Sequence, residues 1–233
     1  MIHPTIWPKT PPPLSEVQIA AREKYMALWH DELPNKYGSI EKFNHGFPVS
    51  LGVKSGIKTL EIGAGIGAHA EYEDLSIQDY SFFEYRKEFC EKLKTKFPSH
   101  EVVCGDIQTK QKWQDGSFDR IIAIHVLEHL PDLPKALEEI NRLLKADGVF
   151  DIVIPCEGGL AHSLGRKFTA ERIFKKHFKM DFAPICKNEH VSTYLEIMHE
   201  VKRYFMVEKQ KFFPALVPVH SLNFVAGFRL GKL

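Results

Sequence analysis

Cysteine is scarce in this 233-residue chain: Cys90, Cys104, Cys156 and Cys186 are the four. None lies close enough to another to form a C-x-x-C pair, which excludes a zinc knuckle or a dithiol redox motif of that kind. No apolar run approaches the ~20 residues of a membrane-spanning helix. The start, M-I-H-P-T-I-W-P-K, lacks a basic stretch followed by an apolar one, so no secretory signal is expected and a reduced, cytoplasmic setting is. Charge of one sign is missing too. Thirty-one Lys and Arg face 30 Asp and Glu, whereas non-specific nucleic-acid binding needs a basic excess. Internal repeats are absent.

Proline, by contrast, crowds the beginning, at Pro4, Pro8, Pro11, Pro12 and Pro13. It fixes φ and removes donors, so an extended arm is expected here. Ser15 and Gln18 then form a capping-box pair. Val17, Ala21, Tyr25 and Leu28 share one face of a helix expected to end near Pro34. A shorter helical piece carries Tyr37, Ile40 and Phe43, and N-H-G-F-P after it reads as a loop. From Lys58 onward strands alternate with helices. K-T-L-E-I, D-Y-S-F-F-E-Y, E-V-V-C, F-D-R-I-I-A-I-H and G-V-F-D-I-V-I-P are the strands. The helix before the last of these is expected to stop at Asp147-Gly148, with the glycine as a left-handed cap. This alternation implies crossover connections and a mostly parallel, doubly wound α/β sheet. Residues 1–54 read as a proline-rich arm and helical cap, and 55–233 as the main domain. Within that domain, 157–191 form a basic, partly helical insertion. A helix over 193–204 follows, with Thr193 and Glu196 as a capping box, and then β-like runs near 205–213 and 219–230.

The central signal is T-L-E-I-G-A-G-I-G-A, where a strand is expected to turn into a helix. Gly63, Gly65 and Gly67 allow a sharp turn and close approach of a ligand to the backbone. Gly63, Gly65 and Ala68 also satisfy the dinucleotide fingerprint G-x-G-x-x-[GA]. Glu84, about 20 residues on, would serve the ribose of either cofactor class.

Glu61 inside the strand, Gly105-Asp106 at the end of the third strand, and the string from F-D-R-I-I-A-I-H-V-L-E-H to L-L-K-A-D-G favour one class. Over residues 55–155 the chain resembles the class I methyltransferases dependent on S-adenosyl-L-methionine, in particular their small-molecule branch. The resemblance implies a seven-stranded Rossmann-like sheet and that cofactor. It implies that Glu61 orients the loop, and that Gly63, Ala64, Gly65 and Gly67 line the methionine portion. Glu84 would accept both ribose hydroxyls, with Tyr85 beside it. Asp106 and the Ile107 amide would meet the adenine, and His125 would lie between the methionine portion and the substrate.

H-V-L-E-H matches the inverted zinc-protease pattern H-x-x-E-H, but that pattern needs both histidines on one helix face. Quinone-pathway O-methyltransferases carry a similar E-x-x-E-H that binds a divalent ion, yet His125 replaces its first glutamate. Glu128 and His129 are read first as helix caps and no metal is assigned, with a divalent ion at these two residues as the open alternative.

Methyl transfer leaves a neutral thioether, so alignment and water exclusion matter most; a base is needed only for a hydroxyl or protonated amine. His125 and Glu157 are the candidate bases, with His162, His190 and Glu189 behind them. Within residues 162–179 of the insertion Arg166, Lys167, Arg172, Lys175, Lys176 and Lys179 oppose one acid, Glu171. His162, Arg166, Arg172 and His190 are thus candidate substrate contacts, for an anionic small molecule in particular. C-E-G-G-L-A, E-H-V and N-F-V-A-G-F-R-L resemble an uncharacterised bacterial group linked to surface-polysaccharide pathways. That ranks a sugar or sugar nucleotide first as acceptor. The alternatives are a nicotinamide-dependent oxidoreductase and a non-catalytic methyltransferase-like partner subunit.

Overall fold

Seven strands form one sheet in the computed structural model, which describes residues 5–32 and 38–233. Pro34, Tyr37 and the Leu28 side chain lie outside the described residues. The strands are β1 (Ile57–Ile62), β2 (Gln78–Glu84), β3 (Glu101–Cys104), β4 (Phe118–Ile124), β5 (Leu144–Pro155), β6 (Phe205–Phe213) and β7 (Val225–Lys232). Their order is β3-β2-β1-β4-β5-β7-β6. β1 to β5 pair in parallel, while β7 runs antiparallel to both β5 and β6.

The central strands alternate between two apolar faces. Ile121, Ala123, Phe150 and Ile152 bury on one side, under helix α4 (Leu133–Leu143) and helix α8 (Tyr194–Val201). α8 opens on the expected Thr193–Glu196 capping box. The other side carries Tyr80, Phe82 and Ile122, packed on Leu93 of helix α3 (Lys87–Lys96). On that side too, Arg120, Asp151 and Arg229 form a buried ion chain across β4, β5 and β7, extended by Glu73.

Helix α1 (Glu16–Glu32) begins at the expected Ser15–Gln18 pair. Ala21 and Tyr25 face inward, but Val17 is exposed. Their partners lie in the insertion, which forms three helices: α5 (Leu160–Phe168), α6 (Ala170–Phe178) and α7 (Ala183–Glu189). Tyr25 packs edge-on against Phe174 and Phe182, so α1 and the insertion share a core. The arm is strapped to its own chain. Trp7 Nε1 donates to Glu200, and Lys9 Nζ donates to the Val191 carbonyl at 2.8 Å and pairs with Glu196.

Three expectations about local structure are corrected. N-H-G-F-P is not a loop: helix α2 (Gly38–Ser50) continues through it. Phe43 and Phe47 stack on each other and bury against Val153 and Val225, a tertiary gain that outweighs the Gly46 and Pro48 penalties. α4 ends at Leu143, and Gly148 is no left-handed cap; it lies within β5. A Cβ there would stand 2.9 Å from the Leu144 side chain and 3.1 Å from the Asp119 carbonyl, so space explains the glycine. Residues 145–148 loop out as the β4–β5 register jumps between Phe118 and Arg120. Finally, the glycine loop does not open into an α-helix. Short 3-10 turns at His69–Tyr72 and Leu75–Ile77 complete the crossover, because little chain separates the loop from β2. Among the described residues no helix is long and apolar enough to cross a membrane, and the four cysteines are free.

Candidate active site

The carboxyl ends of β1, β2, β3 and β4 meet at one edge of the sheet, and each delivers a residue named above. Gly63, Gly65 and Gly67 all have positive φ (67°, 56° and 80°), which only glycine adopts cheaply. Space separates their roles. A Cβ on Gly63 would strike Val126 at 2.4 Å, and one on Gly67 would strike the Phe97 ring at 2.4 Å. One on Gly65 would meet nothing within 4 Å. The outer two glycines let the loop pack, and the middle one borders open room for a ligand.

Glu84, buried at the end of β2, holds this loop. Its Oε2 accepts the Gly65 N–H at 2.8 Å and its Oε1 accepts the Arg86 N–H at 2.9 Å. A carboxylate has about four acceptor positions, so about two are left for ligand hydroxyls. Tyr85 stands beside it on the rim, exposed. Asp106 uses Oδ1 for both the backbone and the side-chain amide of Gln108, each at 2.9 Å, while Oδ2 takes no part in these bonds. Ile107 is buried behind it.

Glu61 lies beneath the loop, and Tyr80 donates to its Oε2 at 3.0 Å. Burial pushes its carboxyl up to about 8, against the pull of that hydrogen bond. Tyr80 shows no motif in sequence, but the β1–β2 register pairs it with Thr59 and so puts it on the same face of the sheet as Glu61, two residues further along β1.

His125 follows β4 with φ 53°, the left-handed region that a side chain enters at a cost of about 1–2 kcal/mol. Its N–H donates to the Val153 carbonyl at 2.9 Å, so β5 holds the conformation. The ring is partly exposed, with Nδ1 3.2 Å from Glu128 Oε1. Such strain at a sheet edge is a mark of functional positions.

The insertion closes the far side. Glu157 gathers three of the predicted substrate residues. Arg166 Nη1 donates to its Oε1, His190 Nδ1 lies 2.9 Å from its Oε2, and His162 Nδ1 lies 3.7 Å from the same oxygen. Burial would raise this carboxyl, but the His190 hydrogen bond and the charges of His162, His190 and Arg166 hold it at about 2. A carboxylate held that low is a poor proton acceptor near neutral pH, which weighs against Glu157 as the base. Burial lowers His162 to about 4. Arg172 stands apart, exposed on α6. Sequence reading missed Cys186, whose Sγ lies 3.0 Å from Arg166 Nη1.

Residues 60–152 match the family model described as a methyltransferase domain. A sterol 24-C-methyltransferase of Aspergillus fumigatus is 32% identical over 123 residues, covering 50% of this chain and 32% of the relative. The match thus spans about a third of that relative's length. Among solved structures, a Pyrococcus horikoshii protein aligns with TM-score 0.64 at 16% identity, covering 91% of this chain and 99% of that one. A TehB-like S-adenosylmethionine-dependent methyltransferase of Corynebacterium glutamicum aligns with TM-score 0.64 at 19% identity, covering 92% and 100%. Over residues 60–152 this chain is thus similar to the methyltransferase domain, and its seven-stranded sheet has the fold of the solved S-adenosylmethionine-dependent methyltransferase it aligns with.

Proposed function

We propose that this chain methylates a hydroxyl of a polar small molecule, with a sugar or sugar nucleotide as the preferred class. The observation that carries this reading is the polar cluster just past the carboxyl ends of β4 and β5. His162, Arg166 and His190 surround the charged Glu157, and His125 pairs with Glu128, a setting made for hydrogen-bonding groups rather than for a hydrocarbon.

The cofactor supplies an electrophilic methyl group on a sulfonium sulfur. Glu84 and Asp106 would hold its ribose and adenine, and the open room over Gly65 would take its methionine part. Glu61, protonated below about pH 8, adds no charge beneath the loop. His125 would take the acceptor's proton: with Nδ1–H donating to Glu128, Nε2 is left as an acceptor. Glu157 acts as a positioning residue, fixing His190 and Arg166.

Two variants test the cofactor site. Glu84→Ala and Asp106→Ala each remove a charge-assisted acceptor and are expected to weaken S-adenosylhomocysteine by about 10–100-fold in calorimetry. Unchanged affinity in both would overturn the assignment. Incubation with isotope-labelled cofactor and a panel of sugar nucleotides, read by mass spectrometry, tests the acceptor.

One observation favours a second reading. Leu160, Leu164 and Phe168 form an exposed apolar stripe on α5, and the sterol methyltransferase named above acts, by its name, at a sterol carbon. Labelling of a sterol but of no sugar in the same assay would select that reading.

A further inference from the structure

Helix capping does not account for Glu128. The side chain is 1% exposed, Oε1 meets His125, and Oε2 is buried with no hydrogen-bond partner among the described residues. A bare buried carboxylate oxygen carries a desolvation cost that a native fold normally offsets with a donor or a cation. Two imidazoles stand beside it. His129 Nε2 lies 4.0 Å from Oε1, and the His190 ring stands edge-on to the His129 ring at 4.9 Å. One ligand atom from each of Glu128, His129 and His190 falls within 4.8 Å of the others.

Both rings are held through Nδ1. His129 Nδ1 lies 2.8 Å from the Glu189 carbonyl, and His190 Nδ1 lies 2.9 Å from the Glu157 carboxylate. Each acceptor makes Nδ1 the protonated nitrogen and leaves Nε2 with a lone pair. This carboxylate- or carbonyl-backed arrangement is how metal-binding histidines are oriented. The backbone secures the third ligand, since the N–H groups of Val191 and Ser192 both donate to the Glu128 carbonyl, at 2.9 and 3.2 Å. A neighbouring group, Glu157, Cys186 and His190, also has suitable spacing. There, however, the Arg166 guanidinium bonds both Glu157 and Cys186 and already supplies the cation.

We propose that Glu128, His129 and His190 bind one divalent first-row metal ion of the zinc class on the acceptor side of the cleft. Two imidazole nitrogens and one carboxylate suit such an ion and leave positions open for an exogenous ligand. Ligand distances of about 2.0–2.2 Å require the three groups to draw together by roughly an ångström, which the two partly exposed rings can do. This revises the first reading, in which no metal is assigned here. The ion's role rests on the reading of the acceptor as a hydroxyl. An oxygen on an open position becomes more acidic. Its proton passes to His125 Nε2, the oxygen forms the new bond to the methyl carbon, and the carbon–sulfur pair returns to sulfur as the neutral thioether.

The test uses chelator-treated full-length protein. Zinc chloride is titrated by calorimetry, Co²⁺ binding is followed by visible absorption, and S-adenosylhomocysteine is titrated separately. The expected result is one equivalent of metal, weakened by about 100-fold or more in both His190→Ala and Glu128→Gln, with S-adenosylhomocysteine bound as in the parent. Metal that fails to bind, or binds equally well in folded His190→Ala, overturns the site even if S-adenosylhomocysteine binds. Should the parent bind zinc but not S-adenosylhomocysteine, the methyl-transfer reading fails and the metal site stands. If Glu128→Gln does not fold, His129→Ala replaces it with the same expectation.

Discussion

Glu61 and His125 show how single residues at this sheet edge trade stability for position. Glu61 keeps its proton to about pH 8 when folded, against an ordinary value of 4.5. The folded state thus holds a proton that the unfolded chain releases, and its contribution falls as pH rises from 4.5 to 8, by up to about 1.4 kcal/mol per pH unit. Glu73 works in the opposite sense. Burial would raise it, but His69 and Arg120 hold it at about 2, so its contribution is present above 4.5 and fades as pH falls toward 2. Glu61→Gln is expected to flatten the alkaline limb alone. Urea unfolding at pH 5 and pH 8 checks this: a variant that still loses as much stability as the parent between those values refutes it.

His125 lends itself to a sharper experiment. Its φ of 53° suits glycine, so His125→Gly is expected to keep or raise the melting temperature while lowering turnover by about 10²–10⁴-fold if the ring is the base. A fall in melting temperature with full turnover would assign the ring to packing instead.

At the scale of elements, α2 and β7 fit one another through a missing side chain. A Cβ on Gly227 would stand 2.4 Å from the Phe47 ring. Gly227→Ala is expected to cost about 1–3 kcal/mol in denaturant unfolding. Adding Phe47→Leu should recover part of that loss, and strict additivity of the two changes would refute the contact. The same pair explains what sequence left illegible. Local propensity reads Gly46 and Pro48 as breakers, whereas the decisive term, burial of Phe43 and Phe47 on a strand about 180 residues away, is non-local. The α4–β5 boundary was obscured in a similar way, since the space at Gly148 is limited by the distant Asp119 carbonyl as well as by the Leu144 side chain. Glu84, the last residue of β2, and Asp106, two residues past the end of β3, were legible as sheet-edge positions because a strand end places its residues there whatever surrounds it. His190 was legible only as one basic residue among several, because its link to Glu128 runs through backbone bonds from Val191 and Ser192.

Across the whole molecule, residues 5–13 act as a strap. Lys9 ties the Val191 carbonyl to α8, and Asn188 Nδ2 donates to the Pro12 carbonyl at 2.9 Å. Deleting residues 1–13 is expected to lower the melting temperature by several degrees and to speed amide exchange at 188–192 more than at the sheet. Equal exchange at both places would show that the strap is incidental.

The wall of the cleft has a consequence for how such enzymes diverge. Glu84, Asp106 and His125 lie within residues 60–152, but Glu157, His162, Arg166 and His190 lie beyond them. On the site assignment proposed above, a chimera built by transplanting 60–152 would carry the cofactor contacts and leave acceptor choice with its host. New specificities would then arise by exchanging the cover while that base is inherited intact.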